Sequence, residues 1–539
     1  MSSLYKNVLI SSLILLVGVE IGSILFPIIG RTGTIIWIFT FLLLILETLR
    51  ALYKIILNSF SNKFPLTLIV LGFFVIIIFA EVFNILNSNF EATQEIGCTL
   101  KNFESIDFGF RGTCLFGYPD RQFFIPALSS LIFGRSLFSL NIGGALFFTC
   151  GIIMYAYGLL QFFKKSKYGD VISAIIISSI FHFYFINLFI FNYEESIFPF
   201  SFSLMTTGLL LSLTYENFYK NLGLIGILIG YLIFAYTTGL FFVFFVIAVI
   251  FYLFFSFAKT LEQKKFIGFI IVTGLIFLTS SLLFRYDIRL HDGVKSSISV
   301  ISDIINGFQH LLIRGSTTDY VSFVFQPFFI AALFAPFLSK QRKYYLFIFV
   351  WIVGVFALSI ASKGYSYYSV DVRIHRAIVV VPIVLIYLGT VIESIKIPFI
   401  KKSLLYYIIL IVLFLSAVIY QNGIIKSKLN GERHRHVSFI LWLKDKLSSS
   451  GLAAEGRLIF DNKLMDINNY SSNYTSVQDS MQYYLPKLKA CSTSICPPQN
   501  DTKNYYVKSY DGVYDVAGKK LLGVFDFNGD KVEVYKEML

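Results

Sequence analysis

The stretch Phe103-ESIDFGFRGTCLFGYPDRQFFIPALSSLIF-Gly134 places the acids Glu104, Asp107 and Asp120, the basic residues Arg111 and Arg121, and Cys114 between long apolar runs. Its last third, from Phe123 to Phe133, is apolar but too short to cross a bilayer, which takes about 20 residues of helix. Apolar side chains at Phe123, Phe124, Ile125, Leu128, Leu131, Ile132 and Phe133 form one broad helical face, with Gln122, Ser129 and Ser130 elsewhere. That pattern predicts a helix lying in the membrane interface plane. A connection of about 50 residues, from 88 to 137, is far longer than usual between packed elements and points to a functional loop.

The rest of the chain explains why such a helix is needed. Of 539 residues, 56% are hydrophobic, 18% aromatic and 14% charged, and the mean hydropathy is +0.72. No soluble domain has this composition. Apolar runs near 7–30, 33–57, 66–87, 138–163, 171–192, 197–217, 222–237, 240–258, 266–284, 321–339, 344–362, 376–394 and 404–422 predict about 13 membrane-spanning helices, each satisfying its own backbone hydrogen bonds. The run from Leu222 to Ala258 is divided at Thr237-Thr238-Gly239. No small-residue cleavage site follows the first run, and Gly30-Arg31 leads into the second, so the first reads as a retained span rather than a signal peptide.

Basic residues in short loops mark the cytoplasmic side. Lys164, Lys165 and Lys167 share one loop, Lys259, Lys264 and Lys265 a second, Lys340, Arg342 and Lys343 a third, and Lys396, Lys401 and Lys402 a fourth. With the N-terminus inside, all four fall on one face together with Arg50, Lys54 and Lys63. The loop 88–137, the loop 285–320, the short loop 363–375 and the tail from about 425 are then outside. The net charge of +13 is mainly a topology signal and calls for no nucleic acid.

Four of the five cysteines fall in expected outer segments, Cys98 and Cys114 in the first loop and Cys491 and Cys496 in the tail, while Cys150 lies in a span. Pairing within each segment suits an oxidising compartment, and four unpaired thiols are the alternative. Asn469, Asn473 and Asn500 have the form of glycosylation acceptors. The tail reads as a small α/β domain over 425–539, following a membrane domain over 1–424. Helical spacing covers His434 to Leu447, Arg457 to Phe460 reads as a strand, and Gln478 to Leu488 as a second helix. Alternation on both sides of Asn528-Gly529 predicts a hairpin. The tail has no metal-spaced Cys/His set and no nucleophile motif.

An acidic first outer loop, an interfacial segment with a proline and the ending "ALSSLIFGRSLFSLNIGGALFF" come first. "GLIGILIGYLIFAYTTGLFFV" and "VRIHRAIVVVPIVLIYLG" follow. Together they resemble the membrane glycosyltransferases of the GT-C fold, especially the protein mannosyltransferase and aminoarabinose transferase group, over roughly residues 80 to 395. The resemblance implies an all-α polytopic fold. It also implies an inverting hexosyl transfer, at the outer face of the membrane, from a polyprenyl-phosphate carrier to a protein, lipid or glycan acceptor. A carboxylate takes the proton of the acceptor hydroxyl, and arginine stabilises the departing phosphate. In that family the base is an acid of the first outer loop. Here Asp107 is the best match, with Glu104 one helical turn before it, then Asp120, and Glu91 and Glu95 behind. An adjacent acidic pair is absent, and two additional spans precede the run 66–87 that would serve as the family's first.

Glu194-Glu195 sit in the expected turn between the fifth and sixth spans. Adjacent carboxylates there meet a cation, a basic partner or the substrate, or are simply solvated; a divalent metal such as Mg or Mn would fit them. In "KGYSYYSVDVRIHRA", Lys363, Arg373, His375 and Arg376 place positive charge on the outer side, for the carrier phosphate or for lipid headgroups. Tyr365, Tyr367 and Tyr368 suit interfacial anchors. The loop with Arg285, Arg289, His291 and Arg314 could cover the site. A transporter or flippase of lipid-linked saccharides, a glycan polymerase or ligase, and a non-catalytic membrane subunit are the competing readings. The first is weakened by the lack of matching halves and the few ionisable groups in the spans, where Glu47 pairs with Arg50 and Glu81 lies near the outer end.

Overall fold

The computed structural model describes residues 28–61, 123–183, 194–213, 218–235, 260–284, 322–338, 381–395, 400–430, 435–460, 483–492, 503–509, 516–527 and 530–537, with a few isolated positions. The expected spans 66–87, 240–258 and 344–362 and most of 7–30 lie outside these residues, as do the loops 101–122 and 285–321.

The helices among the described residues begin with α1 Ile28–Ser61, α2 Phe124–Phe133, α3 Leu137–Phe162, α4 Gly169–Ile180, α5 Glu194–Ser212, α6 Phe218–Ala235, α7 Leu261–Phe284, α8 Gln326–Leu338 and α9 Val381–Ser394. They are followed by α10 Lys402–Asn430 and α11 Arg435–Ser449. Stretches within α1, α3 and α10 are long and apolar enough to cross a membrane by length and composition. One boundary differs from expectation. Gly30-Arg31, read as the connection between the first two spans, lies inside α1, which is 34 residues long. A helix needs only one further turn of hydrogen bonds to absorb a Gly-Arg pair, at a cost of about 1 kcal/mol for the glycine.

Side-chain contacts give the relative directions of the helices. α3 and α5 run parallel in the most extensive helix pairing of the bundle, with Gly151 opposite Ser201 and Gly158 opposite Gly208. A Cβ built on Gly158 would lie 2.4 Å from the Gly208 carbonyl oxygen, so small residues set this approach. α1 is parallel to α3, through Phe41 on Phe147 and Lys54 over Tyr157. It is antiparallel to α6, where Trp37 meets Tyr231 and Lys220 meets Glu47. α4 and α10 are parallel, with Tyr168 against Tyr406 and His182 on the Leu413 carbonyl.

One end of the bundle therefore collects Lys54, Lys167 and Lys402, each over a tyrosine ring. Lys402 also donates to the Glu393 carbonyl at 2.7 Å. Glu47, Arg50 and Lys220 form a charge cluster near this end, with Glu47 and Lys220 both buried.

At the far end of α3 stands the C-terminal layer. Strands β1 Glu455–Phe460, β2 Lys487–Ser492, β3 Asn504–Ser509, β4 Lys519–Phe527 and β5 Asp530–Glu537 form one sheet in the order β2-β1-β3-β5-β4. β1 is parallel to β2 and β3; β5 is antiparallel to β3 and β4. The β4–β5 hairpin turns between Phe527 and Asp530, as the Asn528-Gly529 pair predicts. α11 covers one face, packing Phe439, Ile440, Leu443 and Leu447 on Leu458, Tyr505, Phe525 and Val534. The helix expected over Gln478 to Leu488 is a correction. Met481, Tyr483 and Tyr484 are helical, but Lys487 opens β2. In "KLKACS", Leu488 is buried while Lys487 and Lys489 are exposed, the period-two pattern of a strand.

Candidate active site

The site is built from the end of the bundle where α2 crosses the start of α3. Pro126 occupies the first turn of α2, where its missing N–H is harmless. Gly134 takes φ 79° after α2, a left-handed conformation that favours glycine. Arg135 and Ser136 complete the turn. Ser136 caps α3, its hydroxyl accepting from the Ser139 N–H at 3.2 Å. α2 then rests on α3 so closely that a Cβ on Gly143 would lie 2.6 Å from Ile125 Cγ2. Beside this contact Asn141 Nδ2 donates to the Leu86 carbonyl at 3.4 Å.

The faces of α2 differ from the sequence expectation. Ser129 and Ser130 point inward and are buried, whereas Leu131, Ile132 and Phe133 are more than half exposed. Burial of the serines is tolerable because each hydroxyl returns a hydrogen bond to its own helix. Ser129 donates to the Ile125 carbonyl at 2.8 Å and Ser130 to the Pro126 carbonyl at 2.7 Å. The outward face of α2 is thus apolar, as a helix in contact with lipid requires.

The inward face meets the C-terminal layer. Phe123, Ala127 and Leu140 share one buried cluster with Tyr483, Leu485, Phe439 and Leu443. The Tyr483 hydroxyl lies 2.8 Å from Ser130 Oγ and 3.2 Å from the Ser136 carbonyl. Arg135 donates to the Tyr483 carbonyl at 3.3 Å, and Lys444 Nζ to the Arg135 carbonyl at 3.0 Å. Burial pushes the Tyr483 phenol up to about 12, so it keeps its proton throughout the physiological range.

Deeper in the bundle, Tyr155 donates to the Pro382 carbonyl at 2.6 Å, and Ser203 donates to the Val379 carbonyl. These bonds tie the start of α9 to α3 and α5. Val379 is three residues after Arg376 in the sequence. His182 bridges Ser322 and the Leu413 carbonyl, joining the end of α4 to the segment that opens α8 and to α10.

Among the expected site residues, Glu104, Asp107, Asp120, Lys363, Arg373, His375 and Arg376 lie outside the described residues, as do Glu91, Glu95, Cys98, Cys114 and Cys496. Glu194 and Glu195 are placed differently from expectation: they belong to the first turn of α5 and not to a connecting turn. Cys491 lies in β2 opposite Ile459. The described free cysteine is Cys150, which is buried. Among the described residues no group of three or more His, Cys, Asp or Glu could hold a metal ion.

Ser130, Arg135, Lys444 and Tyr483 were not read as site residues from the sequence. Only Arg135 carried a signal, as a basic residue at the end of the bundle where topology does not demand one.

A short apolar helix packed on α3 and on Phe41 of α1, with a mixed α/β layer against it, is set in a mostly helical, polytopic membrane fold. The fold is of the GT-C type. It is similar to the crystal structure of ArnT, an aminoarabinose transferase, from Cupriavidus metallidurans bound to undecaprenyl phosphate. The TM-score is 0.51 at 11% identity, over 86% of this chain and 97% of that chain. The apo form of the same protein gives 0.49 at 10% identity with the same coverage. No family model matches the chain, and no curated protein matches it by sequence.

Proposed function

We propose that the protein is a membrane glycosyltransferase that moves one sugar from a polyprenyl-phosphate carrier to an acceptor hydroxyl at the outer face. The observation that carries this reading is the fold likeness over 86% of the chain to a structure that holds undecaprenyl phosphate. A lipid-linked donor keeps its chain in the bilayer and its phosphate at the interface, so the chemistry must occur at that depth. An apolar, lipid-facing α2 at the rim suits this requirement.

In this proposal Asp107 accepts the proton of the acceptor hydroxyl as its oxygen attacks the anomeric carbon. Glu104 and Asp120 are the alternatives for that role. The bond from the anomeric carbon to the phosphate oxygen breaks in the same displacement, inverting the centre, and the electron pair leaves with the polyprenyl phosphate. Lys363, Arg373 and Arg376 stabilise that charge, with His375 beside them. Glu194 and Glu195 contact the sugar or a divalent metal such as Mg or Mn. Cys98 with Cys114, and Cys491 with Cys496, form disulfides in the outer segments. The membrane domain spans 1–424, with its N-terminus cytoplasmic, and residues 425–539 form an extracytoplasmic domain.

The test uses purified protein in liposomes with radiolabelled polyprenyl-phosphate mannose, glucose or aminoarabinose. Sugar transfer that falls by at least about a hundredfold in Asp107→Asn is expected for loss of a general base. Full activity in that variant removes Asp107 from the mechanism. Movement of the carrier between leaflets without transfer shows a flippase instead.

A further inference from the structure

Helix α2 is held by two bodies that are far apart in the sequence. On one side it rests on α3, through Ile125 at Gly143. On the other, the Tyr483 hydroxyl reaches Ser130 Oγ and the Ser136 carbonyl, which lie on either side of the Gly134 turn. Lys444, on a different element of the same layer, grips the Arg135 carbonyl between them. Arg135 returns a bond to the Tyr483 main chain. Three polar contacts thus converge on the turn Gly134–Ser136, and a fourth reaches Ser130 in the last turns of α2. All of them cross from the C-terminal layer to the bundle.

The chemistry of these contacts makes them directional. A carbonyl can only accept, so the Ser136 and Arg135 carbonyls accept hydrogen bonds from Tyr483 and Lys444. Ser130 has one hydroxyl proton and two acceptors in reach, the Pro126 carbonyl and Tyr483. If Tyr483 donates to Ser136, Ser130 donates to Tyr483; if Ser130 keeps its bond to Pro126, Tyr483 donates to Ser130. In both arrangements the phenol bonds to the α2–α3 corner. Gly134 is exposed and Arg135 and Ser136 are half-buried, but Tyr483 is fully buried and Ser130 is 3% exposed, so at that pair water does not replace a lost partner without cost. A left-handed glycine at the corner leaves the angle between α2 and α3 loosely specified by the local chain. The packing of Ile125 on Gly143 and the contacts from the C-terminal layer set it together.

We propose that Tyr483, with Lys444, is a positioning residue for the donor site: it clamps the Gly134–Ser136 corner and so fixes how α2 lies on the rim. This inference rests on the glycosyltransferase reading for its functional consequence, and on the contacts alone for the clamp. Asp120 lies three residues before Phe123 in the sequence, and the lipid-facing Leu131, Ile132 and Phe133 lie after it. A helix that rocks on α3 therefore moves the surface along which a lipid-tethered donor arrives. Without the clamp the donor meets a corner that is correctly oriented only part of the time, which lowers its apparent affinity by that fraction.

The experiment uses the full chain in nanodiscs, with Tyr483→Phe and Lys444→Met as separate variants. Hydrogen exchange of residues 124–140 is compared with that of β1, β3 and β5. Faster exchange, by at least about tenfold, confined to 124–140 in both variants is expected for a released corner. Unchanged exchange there in either variant overturns the clamp. So does an increase that spreads equally over the sheet, because Tyr483 would then serve only the fold of its own layer. In the liposome transfer assay, Tyr483→Phe is expected to raise the donor KM by about fivefold to tenfold, with kcat altered less than about twofold. Loss of folded protein would lower the rate with KM unchanged, and that result overturns the positioning role. Wild-type protein that transfers no sugar, while exchange responds as expected, leaves the clamp in place and removes the proposed activity.

Discussion

The Nδ1 atom of His182 lies 2.5 Å from Ser322 Oγ, and its Nε2 atom lies 2.8 Å from the Leu413 carbonyl. The carbonyl can only accept, so Nε2 carries the proton, and in the neutral ring Nδ1 accepts from the serine hydroxyl. The Ser322 N–H returns a bond to the His182 carbonyl at 2.9 Å. Three parts of the chain are thus joined in a fully buried place.

Ser322→Ala removes the hydroxyl and strands a ring nitrogen. A loss of about 1–2 kcal/mol is expected from thermal unfolding in detergent. His182→Leu combined with Ser322→Ala should cost less than the sum of the two single changes, with a coupling of about 1 kcal/mol. Additive losses would show that the pair is not one unit.

The cluster of buried Glu47 and Lys220 with half-buried Arg50 predicts an asymmetry. Glu47 is the shared partner of both cations. Glu47→Gln leaves two positive charges facing each other across α1 and α6, and a destabilisation of about 3–5 kcal/mol is expected. Lys220→Met leaves the pair of Glu47 with Arg50 and should cost clearly less. Equal melting temperatures for the two variants would contradict the shared role of Glu47.

The approach of α3 to α5 predicts intolerance to bulk. A Cβ at Gly208 would lie 2.2 Å from the Met154 carbonyl oxygen, a backbone atom that cannot rotate away. Gly208→Val should destabilise by about 1–3 kcal/mol or more, seen as lower yield of monodisperse protein and a lower melting temperature. Gly268→Ala, where a Cβ has nothing within 4 Å, is the control and should be near neutral.

Alkaline pH should release the C-terminal layer. Burial pushes the Tyr483 phenol up to about 12, and burial with the nearby Glu533 carboxylate does the same for Tyr535. For a phenol whose folded value is raised, the stabilisation is complete below the ordinary value near 10 and is lost as pH rises through about 12. Tyrosinate absorbance should therefore appear together with loss of sheet circular dichroism between about pH 10 and 12. Tyr483→Phe should move that loss to higher pH. Tyrosinate that forms well before the sheet melts would show that these phenols are not held by the fold.

Features set by neighbours in the chain were legible in advance. A run of apolar residues long enough for the bilayer must become a helix, because its peptide groups have no other partner there. α3, α10 and the greater part of α1 follow. Lysines at 54, 167 and 402 were expected on one side, and the structure gathers them at one end of the bundle. The β4–β5 hairpin, which pairs Phe527 with Asp530, was announced by the Asn528-Gly529 pair between two alternating runs. The existence of α2 was read correctly because Phe123 to Phe133 is apolar yet too short to span.

Other features were hidden. The serines of α2 looked like its wet face, because hydropathy counts the hydroxyl and not the carbonyl one turn back that satisfies it. β2 looked helical because Tyr483-Tyr484 belong to a helical turn and the strand begins only three residues later. Glu194-Glu195 looked like a connection because a polar helix start has no hydropathy signature.

By itself the sequence determined that this is a chain of membrane helices with one basic side, a short apolar helix at the other end and a mixed tail. Those properties depend on transfer free energy and local periodicity, which each segment carries alone. Only the tertiary structure decided that α3 and α5 lie in backbone contact, that Glu47 serves two cations, and that the tail holds the corner between α2 and α3. Such contacts join residues hundreds of positions apart, as with Ser130 and Tyr483 at a separation of 353. Shape and hydrogen-bond geometry select them only after the segments have packed.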